Sequence, residues 1–183
     1  AGRGILLITR CEEKMSRVNL YSRRPFEAKF KSFLAEGPTT LTVVSPFVTA
    51  IAPWKSVTDF FAFAQRRGVD SLELVTKPPD NKASNGVLTL TEADAIAKLG
   101  VNLKIRDTEL HSKIYYFGFD DPRRYAAFIG SSNFTKGGFE VNDESNVLLQ
   151  HPDEHVTVRR ELDRLCGQGS FPFDSWRSRK FDH

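Results

Sequence analysis

Between Leu110 and Gln150 the chain concentrates the side chains that can do chemistry. His111 and Lys113 stand two apart before an apolar run, Ser131, Ser132 and Asn133 follow Gly130, Lys136 comes just after, and Glu144 precedes another apolar run. An imidazole serves as nucleophile or proton carrier near neutral pH, and an ammonium beside it holds an anion. On a strand over 110–119, positions 111 and 113 project from the same face, so the two side chains can share one ligand. Small polar residues where a strand runs into a turn offer N–H and hydroxyl donors, and Lys136 adds charge there. Taken singly, each feature has an ordinary reading as surface pair, connection or cap. Together they supply what displacement at phosphorus requires: nucleophile, cation, neutral donor and a carboxylate to orient the imidazole.

The elements around them can be read from periodicity and punctuation. Phe26, Phe30, Phe33 and Leu34 recur at helical spacing between Pro25 and Gly37, which predicts an amphipathic helix. The β-branched run 39–48 predicts a buried strand ending at Ser45-Pro46. Val57, Phe60, Phe61 and Ala64 mark a helix over 56–67, residues 71–76 a strand, 77–87 an exposed mobile loop rich in turn-formers, and 91–99 a short helix with Thr89 or Thr91 as N-cap. A strand follows Gly100, then strands at 110–119, 125–130 and 144–150 and a helix over 153–165. Residues 4–8 could form a short strand, and 9–22 show no clear period. The βαβ order predicts an α/β fold, with a mixed, largely parallel sheet flanked by helices on both faces. Residues 1–166 are expected to form the domain and 167–183 a C-terminal arm or linker, with Phe171, Phe173 and Trp176 packing on a neighbour.

Bulk properties set wide bounds. The 183 residues suit one domain with a Phe-rich core, since 40% are hydrophobic and Phe accounts for 15. Lys and Arg exceed Asp and Glu by only 26 to 23, so a nucleic-acid partner has to be argued from local clusters such as Arg123-Arg124. Cys11 and Cys166 show neither metal-ligand nor disulfide-framework spacing. No apolar run nears the roughly 20 residues of a membrane helix. A soluble cytoplasmic protein without membrane contact is the expectation, and the absence of an initial Met suggests a fragment of something longer.

His111-x-Lys113, followed by Gly130-Ser131 and Asn133, is similar to the HxKxxxxD…GSxN motif of the phospholipase D superfamily. The Asp expected at 118 is replaced by Gly118, with Asp120 and Asp121 following. This variant, with Glu144 eleven residues beyond Asn133, resembles the metal-independent restriction endonuclease branch. The resemblance implies His111 as nucleophile, Lys113 and Asn133 as phosphate ligands and Glu144 as partner of the imidazole, with Asp120 a weaker substitute. Ser131, Ser132 and Lys136 would assist substrate binding.

Attack by one imidazole leaves an oxygen that needs a proton, and a second histidine supplies it best near neutral pH. His151, His155 and His183 lack a Lys two residues on, so the chain holds one motif. A homodimer with the active site at its interface answers this, as in single-motif members of that family. No metal or cofactor is required on this reading, because two lysines replace the cation. The expected activity is cleavage of DNA, with specificity supplied here or by a separate recognition domain or subunit. Loop 77–87 and the arginines near 123 are candidate backbone contacts. Two other functions stay open: a phospholipid phosphodiesterase, and a catalytically silent binding module.

Overall fold

The computed structural model describes residues 19–80 and 86–181; the possible strand at 4–8 and Cys11 lie outside them. In chain order the elements are β1 (Asn19–Tyr21), α1 (Arg23–Ala35), β2 (Thr40–Val44), α2 (Val57–Arg66), β3 (Ser71–Thr76), α3 (Leu90–Lys98), β4 (Asn102–Arg106), β5 (Ile114–Gly118), β6 (Tyr125–Gly130), a π-helical turn (Gly137–Val141), β7 (Asn146–Leu149), α4 (Pro152–Gly167), β8 (Ser170–Pro172) and α5 (Phe173–Phe181). One eight-stranded sheet runs β1-β7-β6-β5-β2-β3-β4-β8. The expected mixed α/β sheet between helices is what the chain forms. Its balance differs from the expectation: only β2–β3 and β3–β4 are parallel, and the other five ladders are antiparallel. α2 and α3 make the parallel crossovers from β2 to β3 and from β3 to β4, while α1 and α4 carry the chain across the sheet to β2 and to β8. Strands β5, β6 and β7 adjoin in chain order and make a meander, which must be antiparallel.

Two residue sets divide the sheet faces. Tyr115 and Phe117 of β5 point to one side, where Phe26, Phe30, Phe33 and Leu34 of α1 meet Phe60, Phe61, Phe128, Phe134 and Phe139. This is the expected Phe-rich core, and Phe30 sits 5.2 Å from Phe117 and 5.1 Å from Phe139 between ring centroids. Caps fix the helix starts: Ser56 accepts from the Asp59 N–H and Thr89 from the Glu92 N–H. On the other side Ile114, Tyr116, Tyr125 and Ala127 meet Val158, Leu162 and Leu165 of α4. Ile129, Val147 and Leu149 are only half-buried there, and Leu20, paired with Val147, is 70% exposed.

The C-terminal segment corrects the expected arm. Phe171 of β8 pairs with Ile105 of β4, and Phe173 and Trp176 are buried in the same core. Trp176 Nε1 donates to Asp107 at 2.8 Å, and Arg177 pairs with Asp94 of α3. Gly and Pro made this stretch read as a linker, whereas its aromatics close the free edge of β4.

Under α4, the Tyr116 hydroxyl lies 2.9 Å from His155 Nε2, and the His155 ring stacks 4.3 Å from Tyr125. Burial first, then Arg159, holds the imidazole below its ordinary value of 6.5. In the window beneath 6.5 the unfolded chain therefore binds more protons at this site than the folded one, so stability is complete above 6.5 and declines as pH falls. With Tyr116, Tyr125, Glu154 and Arg159 left in place, His155→Gln should flatten this limb of a urea-stability profile between pH 7 and 5.

Candidate functional site

Topology gathers the chemistry-bearing residues at one sheet edge. The parallel strands β2, β3 and β4 end there, β5 and β7 begin there, and β6 ends there. Residues 45–47, 76–77, 107–113, 130–133 and 144–146 are thereby neighbours, which is where an open α/β sheet binds ligands beyond the carboxyl ends of its parallel strands.

The first group departs from the expected strand pair. β5 starts only at Ile114, so His111 and Lys113 lie in the irregular segment before it, although the Lys113 carbonyl still accepts from Gly130 N–H at 3.2 Å. The His111 side chain is 70% exposed, and its Nε2 lies 3.0 Å from Glu109 Oε1. That hydrogen bond, followed by the imidazole's charge, draws the Glu109 carboxyl below its usual range. Lys113 Nζ donates to the His111 carbonyl at 2.6 Å. Partial burial lowers the Lys113 pKa most, Glu144 opposes this, and Lys77 adds to it. Glu109 is the residue the sequence reading missed. A period-two Glu-x-His-x-Lys pattern was the available signal.

The second group is pinned by close backbone approach. Ser131 N–H donates to the Ser145 carbonyl at 3.1 Å, and Ser145 N–H donates to Ser131 Oγ at 3.0 Å. A Cβ at position 130 would fall 2.2 Å from the Ser145 carbonyl oxygen, so only glycine permits this pairing. Ser132 is fully buried: its carbonyl accepts from the Tyr115 hydroxyl at 2.7 Å and its Oγ from Asn146 Nδ2 at 2.8 Å. Its observed contacts are all internal. The π-helical turn then folds back on Asn133, where a Cβ at Gly138 would lie 2.2 Å from the Asn133 carbonyl oxygen. Phe134 N–H donates to Ser45 Oγ at 2.9 Å, joining the turn to the end of β2. Asn133 Oδ1 is buried without a hydrogen-bond partner, as is Thr76 Oγ1 at the end of β3. An orphaned buried polar atom is worth about 1–3 kcal/mol of destabilisation.

Glu144 is half-buried just before β7, accepts from Asn142 Nδ2 at 3.4 Å, and acts electrostatically on Lys113 and Tyr115. Lys136 is exposed at the start of the π-helical turn. The edge thus holds His111, Lys113, Ser131, Ser132, Asn133 and Glu144 together, with Glu109 at the imidazole and Glu144 near the ammonium.

Two expectations are corrected by strand direction. Gly118 ends β5, and five residues at about 3.3 Å each put it roughly 16 Å from Lys113. Asp120 lies further along, at the opposite edge, and cannot take the place of Glu144. Arg123 and Arg124 occupy that far edge too, paired with Asp121 and Glu36, so they do not flank His111. Among the described residues no group of three or more His, Cys, Asp or Glu side chains could hold a metal ion, and no helix is long and apolar enough to cross a membrane.

A mixed sheet with a His-Lys pair, a Gly-Ser-x-Asn turn and a carboxylate at one edge defines a phosphodiesterase-type α/β fold. The family described as "Cardiolipin synthase, PLD-like domain" matches residues 32–166, so the chain belongs to the phospholipase D-like family. None of the curated proteins compared matches the sequence. Among solved structures, the fold is similar to Nuc of Salmonella typhimurium, a phospholipase D family member, at 19% identity and a TM-score of 0.61, covering 85% of this chain and 97% of that one. NucT of Helicobacter pylori aligns at 12% identity and a TM-score of 0.55, covering 86% and 99%. TrmBL2, an archaeal chromatin protein described as showing a novel mode of DNA binding, aligns at 14% identity and a TM-score of 0.53, covering 87% and 56%.

The backbone contacts yield a direct test. Gly138→Ala should displace Asn133 and lower stability by about 1–3 kcal/mol, the range for overpacking. Denaturant unfolding reads the loss, and a stability equal to that of the parent protein would contradict the close approach.

Proposed function

We propose that this protein is a metal-independent phosphodiesterase that cleaves DNA, a restriction or defence endonuclease or the nuclease domain of one. The observation that carries this reading is the meeting of His111, Lys113, Asn133 and Glu144 at one sheet edge in a phospholipase D-like chain with a single motif. Nuc and NucT, of which the alignments cover 97% and 99%, support it as fold relatives.

In the reaction, His111 attacks phosphorus, forming a P–N bond while the P–O bond to the leaving group breaks. The leaving oxygen takes a proton from His111 of a second copy. Water then attacks the phosphohistidine, gives its proton to that second imidazole, and releases His111. Lys113 and Asn133 hold the equatorial oxygens as charge builds up, and Glu144 steadies the histidine. In the free chain Glu109 occupies Nε2, so the exposed imidazole must turn from Glu109 when substrate or a second copy covers the edge. The half-buried Ile129 and Val147 with the exposed Leu20 offer apolar surface for a second copy to bury.

DNA should be cut in excess EDTA, and His111→Ala should lower the rate by roughly 10³-fold or more. A pure protein inert on single- and double-stranded DNA from pH 5 to 9 would sink the reading. Sedimentation should show a dimer under assay conditions, and a fully active monomer would remove the two-histidine step. A phospholipid substrate is the second reading, favoured by the description of the matching family. Headgroup release from vesicles with DNA left intact would establish it instead.

A further inference from the structure

Lys77, first residue of the loop read from sequence as a backbone contact, stands at the functional edge without a part in the reaction above. It follows directly on β3, and its Nζ sits 5.1 Å from the centroid of the Phe47 ring. Phe47 is backed in turn: a Cβ at position 86 would lie 3.7 Å from the Phe47 Cβ, so Gly86 stands beside the ring, and the Val48 N–H donates to the Gly86 carbonyl at 2.9 Å. The ring therefore gives the ammonium a fixed seat. Among the described residues no carboxylate stands within ion-pair distance of Lys77. Its charge is nevertheless felt at Glu109 and Lys113, the residues on either side of His111.

Two ammonium groups kept at one edge repel each other, and an anion lying along both relieves that repulsion. Their separation indicates what kind of anion. Val75 pairs with Val44, and Val44 pairs with Ile114, so Lys77 and Lys113 extend from strands two ladders apart, about 10 Å between backbones. Lys113 is turned onto the His111 carbonyl, while Lys77 is held over Phe47. The two side chains thus leave the edge from separate strands and are held by different partners, an arrangement that suits consecutive phosphates of a single extended strand.

We infer that Lys77, seated on Phe47, forms a subsite for the phosphate adjacent to the one held at His111 and Lys113, so that the protein selects chains with at least two consecutive phosphodiesters. This rests on the nucleic-acid reading above and goes beyond it. It names a second contact and a minimum ligand, and it disfavours substrates with an isolated phosphodiester.

The test uses fluorescein-labelled dithymidylate, with one phosphodiester, and trithymidylate, with two, titrated by anisotropy. His111→Ala protein is the parent, so that nothing is cleaved, and it is compared with the His111→Ala, Lys77→Gln double variant. Lys77→Gln should weaken trithymidylate binding by about fivefold to tenfold, in line with a charge-assisted hydrogen bond. Dithymidylate binding should change by less than about twofold on the same argument. The salt dependence of trithymidylate binding should fall by about 0.7 in log–log slope, the value for one lost phosphate contact on a single strand. Phe47→Leu, which keeps an apolar side chain but removes the ring face, should give a smaller loss on the same ligand. Equal loss on both ligands would place Lys77 at the same phosphate as Lys113 and overturn the subsite, as would no loss on either. Both of those outcomes leave the nuclease reading standing. If the parent binds neither ligand, the nucleic-acid reading fails and the subsite falls with it.

Discussion

The functional edge depends on a buried hydrogen-bond knot centred on Ser132. The Tyr115 hydroxyl of β5 donates to the Ser132 carbonyl, and the Asn146 amide of β7 donates to the Ser132 hydroxyl oxygen and, at 3.4 Å, to the Tyr21 carbonyl of β1. Each bond is worth about 1 kcal/mol net, but an orphaned partner is destabilised by more than that. Three strands and one turn are therefore tied to one arrangement. Ser131, exposed, and Asn133, half-buried, are held on either side of Ser132 by it. The knot is internal, and it decides where the groups on either side of it stand.

Glycine completes what the knot begins. At 130 and 138 the backbone of one segment lies where a side chain of another residue would be. These two positions let β7 and the π-helical turn close on either side of Asn133. Preorganisation of this kind matters in phosphoryl chemistry, where positioned donors act on charge as it develops without having to reorganise. His111 contrasts with this rigidity. Its ring is exposed and held by a single carboxylate, so the least constrained part of the site is the group proposed to form and break a bond.

Much of this was legible in the sequence. Phe spacing gave α1 and α2, Ser56 and Thr89 marked helix starts, and the β-branched runs gave β2 to β4. The residues of the proposed site stood out as a set because they lie close in sequence, and the meander brings close sequence into close space. What escaped notice has physical causes. β1 and β8 are three residues each, too short for a period of two to register, and they exist by pairing with partners distant in the chain. α5 was hidden by neighbouring Gly and Pro, though its buried Phe173 and Trp176 carried the signal. His111 and Lys113 were placed on a strand because the apolar run beginning at Ile114 was extended backwards over polar residues. Strand rise alone could have separated Asp120 from the site, since a residue seven positions from Lys113 along an extended segment belongs at the far edge.

The contiguity of the site also bears on how it forms. Glu109 to Asn146 is a meander with short connections, so closing it costs little loop entropy, and such local contacts tend to form early. β1 is different: the Tyr21 carbonyl that receives Asn146 Nδ2 is 125 residues away in the chain. The amide that steadies the edge thus obtains its last acceptor only when β1 docks on β7. Fraying of β1 would uncover Asn146 while β5 and β6 remain paired, and hydrogen exchange at the edge would report the docking of β1 rather than the stability of the meander itself.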